Sequence, residues 1–264
     1  MAVYRLPVTL DDINKIGPNL TFAMLISGQV HPLTPPKARV GAGSDYNKVP
    51  MIDIDTESSI RPGKETVRVV IVGDTLTGKT KLLQSYMTGE YSAGYIQGTV
   101  FEEYIIRQMI NDKPYTLRIH EISGRFGYER LRAACYPGND VVLVCYKIDC
   151  TDWEDSWDQV HQVYFREIKR YCPRVPFILA ALRDPEEMAS ANEAEGMNTT
   201  IERNPDHEKL AEKLGAAGYV TCDMGNPEAV KGVFHEVLMA GLREVPISAK
   251  KRFWRRSPLQ TVAE

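Results

Sequence analysis

Apolar and polar residues follow two rhythms along most of the chain, and the change between them marks the predicted elements. Strand-length apolar runs are typical of strands buried in a parallel sheet, whereas apolar residues at helical spacing indicate amphipathic helices. The predicted strands are Val67–Val72, Val100–Ile110, Tyr115–Glu121, Asp140–Tyr146, Val175–Ala181 and Gly218–Cys222. The predicted helices are Thr80–Thr88, Asp152–Tyr171, Asp206–Leu214 and Pro227–Leu242.

The order of these elements predicts an α/β fold. Alternation of strands and helices favours a mostly parallel sheet, here of six strands, with helices on both faces. A turn at 111–114 joins the second and third predicted strands into a hairpin, so one edge of the sheet should be antiparallel. A domain with this pattern spans residues 63–243, and segments of different composition flank it.

One short segment carries recognisable chemistry. Residues 73–80 read GDTLTGKT, between the first predicted strand and the first predicted helix, and this G-x-x-x-x-G-K-[ST] pattern predicts a phosphate-binding loop. Its glycines let backbone N–H groups turn towards an anion, and the helix N-terminus adds partial positive charge. Lys79 would reach the β- and γ-phosphates, and the Thr80 hydroxyl would hold Mg²⁺. The nucleotide-binding residues predicted in this phosphate loop are Gly73, Asp74, Thr75, Leu76, Thr77, Gly78, Lys79 and Thr80.

The flanking segments differ from the central domain. Residues 1–62 are rich in Pro and Gly, which predicts a largely irregular extension or linker. Within it, Leu20–Ile26 is apolar enough to dock on the central domain or on a partner, with a loosely ordered tail as the alternative. Residues 244–264 form a C-terminal tail with a basic cluster at 250–256 that also contains two aromatic residues.

The basic cluster suits three situations. It would bind an anionic membrane surface, at about 1 kcal/mol per basic residue. It would also suit a nuclear-import receptor, or it would remain a solvated tail. Phosphorylation of Ser257 would weaken binding to an anionic surface. The chain ends TVAE, so no prenylation motif is expected.

Composition excludes several classes of protein. The 264 residues carry a net charge of −3, which argues against nucleic acid as a partner. The five cysteines are scattered, so we interpret them as small buried hydrophobic residues in a reducing compartment and expect no zinc site. No apolar stretch is long enough to span a bilayer, and the N-terminus lacks a secretory signal. We therefore expect an intracellular, cytoplasmic protein, compatible with peripheral membrane contact through 250–256.

Several segments resemble one family, in the family's order. Tyr95–Tyr104 (YIQGTVFEEY) resembles the first switch of Rho-type small GTPases, and Gly124–Leu131 resembles their second switch. Gly215–Cys222 is similar to the stretch before the family's last guanine-binding loop, and residues 184–205 stand where Rho proteins carry a helical insert. Over about residues 65–242, the chain is identified as an atypical, Rho-like member of the Ras superfamily. The resemblance implies the P-loop NTPase fold of small GTPases.

The resemblance also implies roles for residues outside the phosphate loop. Thr99 would be the switch threonine that senses the γ-phosphate and holds Mg²⁺ together with Thr80. Tyr91 would pack beside guanine, and the N–H of Gly124 would contact the γ-phosphate. The implied ligands are Mg²⁺ with GTP or GDP.

Three departures from the family affect hydrolysis and the metal. Thr75 stands where the family usually has glycine, and in the family any side chain there obstructs the hydrolytic geometry. Arg125 replaces the glutamine that orients the attacking water, and arginine has hydrogen-bond donors only. Glu121 replaces the aspartate of the Mg²⁺ shell and is one methylene longer. No catalytic residue is therefore assigned, and hydrolysis is expected to be weak or absent.

Two further departures affect recognition of the base. The family's N-K-x-D motif should follow the fifth strand, but Leu182-Arg183 fits the residues after that motif, so the motif is interpreted as deleted. Asp184 would replace its aspartate only after a local shift. The family's Ser-Ala-Lys loop is replaced by residues 223–225, Asp-Met-Gly. Losing a bidentate, charge-assisted contact weakens guanine recognition.

Three functions follow as alternatives. The first is an atypical Rho-like GTP-binding protein of signal transduction with impaired hydrolysis. It would act on effector or regulatory proteins through a first switch segment (about 91–104) and a second switch segment (about 122–132). The second is a nucleotide-free pseudo-GTPase that serves as a scaffold. The third is a P-loop hydrolase with altered base preference, in which Arg125 stabilises transition-state charge in cis.

Overall fold

The computed structural model describes residues 3–4, 63–94, 96, 98–110, 112–148, 157–186 and 205–243. Its strands are β1 (Val3–Tyr4), β2 (Thr66–Gly73), β3 (Phe101–Ile110), β4 (Lys113–Ile122), β5 (Val141–Lys147), β6 (Phe177–Arg183) and β7 (Gly218–Asp223). Its α-helices are α1 (Lys79–Thr88), α2 (Glu129–Cys135), α3 (Phe165–Tyr171), α4 (Pro205–Leu214) and α5 (Pro227–Leu242).

The predicted strands are all present, with ends shifted by a few residues. The predicted helix at 152–171 is continuous through its described part, where a π-helical turn at Val160–Tyr164 runs directly into α3. Residues 152–156 of that prediction lie outside the described residues. The helix α2 was not predicted, because seven residues are too few to display helical periodicity.

The strands form one sheet in the order β1-β3-β4-β2-β5-β6-β7. Neighbouring strands from β4 to β7 pair in parallel, whereas β3 pairs with β4 in antiparallel register. This confirms the predicted α/β fold, with a mostly parallel sheet and an antiparallel edge. The seventh strand, β1, was not predicted. It pairs antiparallel with Glu103 and Tyr104 and covers the edge of β3 at that point.

Helices cover both faces of the sheet, as predicted. Side chains of a strand point alternately to opposite faces, and β2 follows this rule. Val69 and Ile71 belong to a buried cluster with α1 and α5, whereas Val70 and Val72 belong to a second cluster with α2, α3 and α4. The central strands are therefore buried on both faces, which explains their continuous apolar sequences.

The hairpin between β3 and β4 is tighter than predicted. Lys113 and Pro114, assigned to the turn from sequence, instead begin β4 and pair with Ile110 and Met109. Asp112 has a φ of 60°, in the left-handed region that Asp tolerates better than most residues. The prediction of a four-residue turn was therefore wrong by two residues.

Four of the cysteines lie in the described residues, and all four are free and buried, as predicted: Cys135, Cys145, Cys172 and Cys222. Burial raises the pKa of Cys172 to about 11 and that of Cys145 to about 12. Their thiols therefore stay protonated and unreactive near neutral pH. Among the described helices, none combines the length and apolar character needed to cross a membrane.

Candidate functional site

The phosphate loop lies at the carboxyl end of β2, between β4 and β5. Gly73 pairs with Cys145 of β5, and a Cβ on Gly73 would lie 2.2 Å from the Cys145 carbonyl oxygen. Gly78 has a φ of 85°, and a Cβ there would lie 2.8 Å from the Met224 side chain. Both glycines are therefore required by the backbone path as well as by the loop motif.

Lys79 occupies the centre of this loop. Its Nζ atom donates to the carbonyl oxygens of Gly73 (2.8 Å) and Asp74 (2.6 Å) and lies 3.3 Å from Thr77 Oγ1. The side chain is only 7% exposed, and burial lowers its pKa. An ammonium held here is surrounded by loop backbone, in the position where an anion in the loop would meet it.

Three oxygen-bearing side chains converge beside Lys79. The Thr80 hydroxyl, at the start of α1, donates to Glu121 Oε1 at 2.5 Å. Thr99 Oγ1, just before β3, lies 3.3 Å from Thr80 Oγ1. The longer side chain of Glu121 therefore still reaches the predicted metal residues. Two hydroxyls and one carboxylate suit Mg²⁺, which uses one or two carboxylates together with phosphate oxygens.

Glu121 is a buried carboxylate, 1% exposed at the end of β4. Burial raises its pKa, although Thr80 and Lys79 oppose the shift. Tyr104 donates to its Oε2 at 3.1 Å and also to Glu102, the residue opposite Glu121 in the hairpin. We call Thr80, Thr99 and Glu121 the threonine–glutamate corner. A cation bound there would stabilise the ionised form of Glu121. Within the described residues, no cluster of three or more His, Cys, Asp and Glu could hold a metal on its own.

The opposite wall of the site belongs to the second switch segment. Gly124 lies so close to the phosphate loop that a Cβ would stand 2.2 Å from the Gly73 carbonyl oxygen. Arg125 Nη2 reaches within 3.1 Å of the Cβ position of Gly98 in the first switch segment. Thr75 donates its N–H to the Asp74 carboxylate at 2.7 Å. The second switch segment therefore contacts the phosphate loop through Gly124 and the first switch segment through Arg125.

At the other end of the cavity, Lys81 holds two carboxylates. Its Nζ lies 2.8 Å from Asp184 Oδ2 and 3.1 Å from Glu186 Oε2. Tyr91 donates to Asp184 Oδ1, and the Gly94 N–H donates to Glu186 at 2.8 Å. Burial opposes ionisation of Asp184, but hydrogen bonds from Lys81 and Tyr91 outweigh it, so its pKa lies below the usual value. We call Lys81, Tyr91, Asp184 and Glu186 the base-end cluster, because Tyr91 and Asp184 are the residues considered for contact with a base. The cluster links the start of the first switch segment to the chain after β6.

The end of strand β6 sets the position of Asp184. It continues through Leu182 and Arg183, in parallel register with Cys222 and Asp223 of β7. Leu182 is fully buried and stands near Gly78 of the phosphate loop. Residues 182–183 therefore form the end of the strand itself, and Asp184 is the first residue after it. Sequence reasoning gave Asp184 a place in the site only after a local shift, and Asp184 lines the cavity directly after β6. The deletion of the family's N-K-x-D motif stays a prediction.

One cavity of about 280 Å³ brings most of the predicted site residues together. The predicted residues that line it are Thr75, Leu76, Gly78, Lys79, Thr80, Thr99, Gly124 and Arg125. Gly73, Asp74 and Thr77 shape the loop behind it, and Tyr91 joins it through Asp184. Sequence reasoning missed Lys81, whose only local signal is its position directly after GKT, and Ser123.

The second switch segment is anchored from outside the cavity. Arg132 of α2 is 2% exposed and bonds Glu167 of α3 through Nε (3.0 Å) and Nη2 (2.9 Å). Its Nη1 donates to the Ser123 carbonyl oxygen at 3.2 Å, just before Gly124. Beyond this anchor, Phe126 is 98% exposed. The segment thus has a fixed base and an exposed aromatic tip.

Comparison with known protein families agrees with this geometry. A family model described as the Ras family matches residues 68–242, which is most of the chain and runs from β2 to the end of α5. Members are small GTP-binding proteins that generally hold guanine nucleotide with Mg²⁺ and interact with effectors and regulators. With the phosphate loop, the threonine–glutamate corner and both switch segments in place around one cavity, the chain belongs to the Ras family.

Proposed function

We propose that this chain is an atypical, Rho-like signalling protein that binds nucleotide with Mg²⁺ and hydrolyses it very slowly or not at all. Its G domain would span residues 63–243, between the N-terminal extension and the basic tail. The observation that supports this most is a complete phosphate loop around Lys79 beside Thr75 and Arg125. The loop around Lys79 would bind phosphate. Thr75 and Arg125 replace the residues with which the family supports hydrolysis.

Phosphate binding rests on charge and backbone geometry. Among the described residues, Lys79 donates to carbonyl and hydroxyl oxygens of its own loop, and Arg125 also lines the cavity. A triphosphate would replace loop carbonyls as acceptor for Lys79, and hydrogen bonds between charged groups are stronger than neutral ones. The N–H of Gly124, packed against the loop, would face the γ-phosphate.

The metal role is proposed for Thr80 and Thr99, and Glu121 would join them. Mg²⁺ bound by these oxygens would neutralise phosphate charge and orient the β- and γ-phosphates. Before metal binds, the Thr80–Glu121 hydrogen bond keeps the corner assembled. The three side chains come from α1, the first switch segment and β4, so metal binding would also order the first switch.

Replacing Glu121 with Gln is expected to weaken Mg²⁺-dependent nucleotide binding about tenfold, because a neutral amide is a poorer Mg²⁺ ligand than a carboxylate. Titration of Mg²⁺ at fixed GTP, followed by fluorescence of a labelled nucleotide, measures this. Glu102→Gln is the matched control, since it makes the same change at the neighbouring carboxylate, which also accepts from Tyr104, and leaves the Thr80–Glu121 hydrogen bond in place. Equal Mg²⁺ dependence of both variants would contradict the assignment.

Weak hydrolysis follows from two side chains. The guanidinium of Arg125 donates hydrogen bonds and cannot accept one from an attacking water. Thr75 puts a branched side chain at the cavity wall, where the family usually has glycine. Arg125 cannot accept a hydrogen bond from a water in line with the γ-phosphate, and the Thr75 side chain takes up space where the family has none. Hydrolysis in this fold requires such an oriented water.

Restoring both positions should therefore raise turnover. The double variant Thr75→Gly/Arg125→Gln is expected to hydrolyse bound GTP at least about tenfold faster than the unmodified chain in single-turnover assays. Thr75→Ser/Arg125→Lys is the matched control, because it keeps a side chain at 75 and a donor-only group at 125. If instead the unmodified chain turned over readily and Arg125→Ala abolished this, Arg125 would be a transition-state arginine acting in cis.

Partners are proposed at the two switch segments. The exposed ring of Phe126 and the exposed Leu76 stand on the surface around the cavity, and aromatic side chains often anchor protein interfaces. The pairing of β1 with Glu103 and Tyr104 covers part of the first switch segment. A partner that adds a strand to this edge would displace β1. The basic cluster at 250–256 lies outside the described residues and is proposed for an anionic membrane, in an intracellular protein.

A nucleotide-free scaffold is the second candidate, and the base-end cluster favours it. Equilibrium binding of GTP and GDP to the full chain, with and without Mg²⁺, separates the two. If the chain binds nucleotide, the Kd for GTP or GDP should be sub-micromolar in Mg²⁺ and higher in EDTA. A Kd in the micromolar range or weaker for every nucleotide would favour the scaffold.

A further inference from the structure

The two ends of the cavity are built differently, and this difference points to the ligand. At the phosphate end, Lys79 is held by neutral oxygens of its own loop, whereas at the base end Lys81 is paired with the carboxylates of Asp184 and Glu186. We propose that the site recognises Mg²⁺-bound triphosphate and does not discriminate among bases. Its ligand class is then polyphosphate, either attached to any common nucleoside or inorganic. This inference rests on the proposed function, because it requires the phosphate loop to bind its ligand.

Asp184 is the carboxylate placed to read a base, and its oxygens are already engaged. Oδ2 accepts from Lys81 at 2.8 Å, and Oδ1 accepts from Tyr91 and from the Glu186 N–H at 3.0 Å. The residue is only 5% exposed. Guanine is read when a carboxylate accepts two hydrogen bonds from the base. Asp184 already accepts three, and a carboxylate has about four acceptor sites, so reading guanine would displace at least one of these donors. A base that demands such an exchange gains little over one that does not.

Lys81 is neutralised in the same cluster. Its ammonium contacts both Asp184 and Glu186, and it lies 5.4 Å from the centre of the Tyr91 ring. Glu186 in turn accepts the Gly94 N–H. This cluster therefore pairs its donors and acceptors with one another. Of the cations among the described residues that line the cavity, Lys79 and Arg125 remain outside it.

The loop between β7 and α5 likewise uses its polar side chains for its own structure. Met224 is buried with Leu182 against Gly78 and fills the space beside the phosphate loop with apolar atoms. The Asp223 carboxylate accepts the Gly225 N–H at 2.8 Å. The Asn226 side chain caps α5 by accepting from its first amides. The polar side chains of this loop thus support its own turn and the helix rather than a ligand.

By contrast, the contacts expected at the phosphate end are independent of the base. Lys79, Thr80, Thr99 and Gly124 would all meet phosphate oxygens or Mg²⁺, which GTP, ATP, UTP and inorganic triphosphate share. If these contacts carry the binding free energy, all four ligands should bind with similar affinity.

Competition against a ribose-labelled fluorescent GTP on the full chain tests this, with GTP, ATP, UTP and tripolyphosphate each added with equimolar Mg²⁺. The inhibition constants of the nucleotides are expected to agree within about fivefold, and that of tripolyphosphate to lie within about tenfold of GTP. A preference of about 100-fold for one nucleotide, or failure of tripolyphosphate alone, would overturn the inference and leave the proposed function standing. Failure of the probe and every competitor to bind would overturn both.

The variant Asp184→Asn gives an independent reading. Asparagine keeps an acceptor for Tyr91, and Lys81 keeps Glu186, so the fold should persist with thermal unfolding as the check. GTP and ATP affinities are each expected to change by less than about threefold. A loss of about tenfold or more for GTP alone would show that Asp184 reads guanine and would overturn the inference. Asp223→Asn provides the same comparison at the other loop, with the same expected result.

Discussion

Replacing Lys79 with Ala is expected to weaken binding of Mg²⁺·GTP at least about 100-fold. Hydrogen bonds to charged groups contribute about 1.5–3 kcal/mol each, and Lys79 would make two of them to the β- and γ-phosphates. The effect exceeds that of Glu121→Gln, because a lost cation leaves phosphate charge in a cavity with Arg125 as its remaining lining cation outside the base-end cluster. Isothermal titration or fluorescence displacement on the full chain measures it.

The same variant separates a nucleotide binder from a scaffold. A ligand present at 100 times its Kd stabilises a protein by about 2.7 kcal/mol, so Mg²⁺·GTP should raise the unfolding temperature of the unmodified chain and not that of Lys79→Ala. Lys231→Ala is the matched control, since Lys231 pairs with Glu228 on the exposed side of α5. If the unmodified chain shows no stabilisation by Mg²⁺·GTP, unchanged thermal stability and unchanged partner binding in Lys79→Ala would identify the scaffold.

Replacing Arg132 with Ala is expected to lower the free energy of unfolding by about 3–5 kcal/mol. Removing one partner of a buried ion pair leaves the other charge uncompensated, and this is among the most costly single changes in a protein. Glu167 would lose both bonds of the guanidinium fork and keep its hydrogen bond from Tyr136, at 2.8 Å. For a domain of this size, the unfolding temperature should fall by about 2–4 °C per kcal/mol.

Chemical or thermal denaturation measures this loss, and two variants sharpen the result. Arg130→Ala, two residues away on the exposed side of α2, should change stability by less than about 0.5 kcal/mol. The double variant Arg132→Met/Glu167→Leu should recover most of the loss, because an apolar pair replaces the charges without leaving either one unpaired. A loss below about 1 kcal/mol in Arg132→Ala would contradict the assignment of this pair as the anchor of the second switch segment.

Sequence pattern accounts for most of the fold because its signals are local. Continuous apolar runs identify β2, β5 and β6 from local sequence alone, since strands buried on both faces need apolar residues at nearly every position. The phosphate loop is equally local: glycines at 73 and 78 and the GKT that follows set its backbone within eight residues. The short elements α2 and β1 were not predicted, because they are too brief to show a period of their own.

The residues of the site fall into two groups, those that local sequence predicts and those that only tertiary packing brings together. Lys79, Thr80, Thr99, Gly124 and Arg125 were predictable because motifs name them, and the cavity brings all five together. The decisive contacts at the base end and behind the second switch were not predictable. Lys81 meets Asp184 across 103 positions of sequence, and Arg132 meets Glu167 across 35. Such pairs depend on strand register and on the direction in which each side chain leaves its helix, which no local pattern specifies. Local pattern therefore predicts a phosphate site, and only the packing of distant segments shows how the base end of that site is closed.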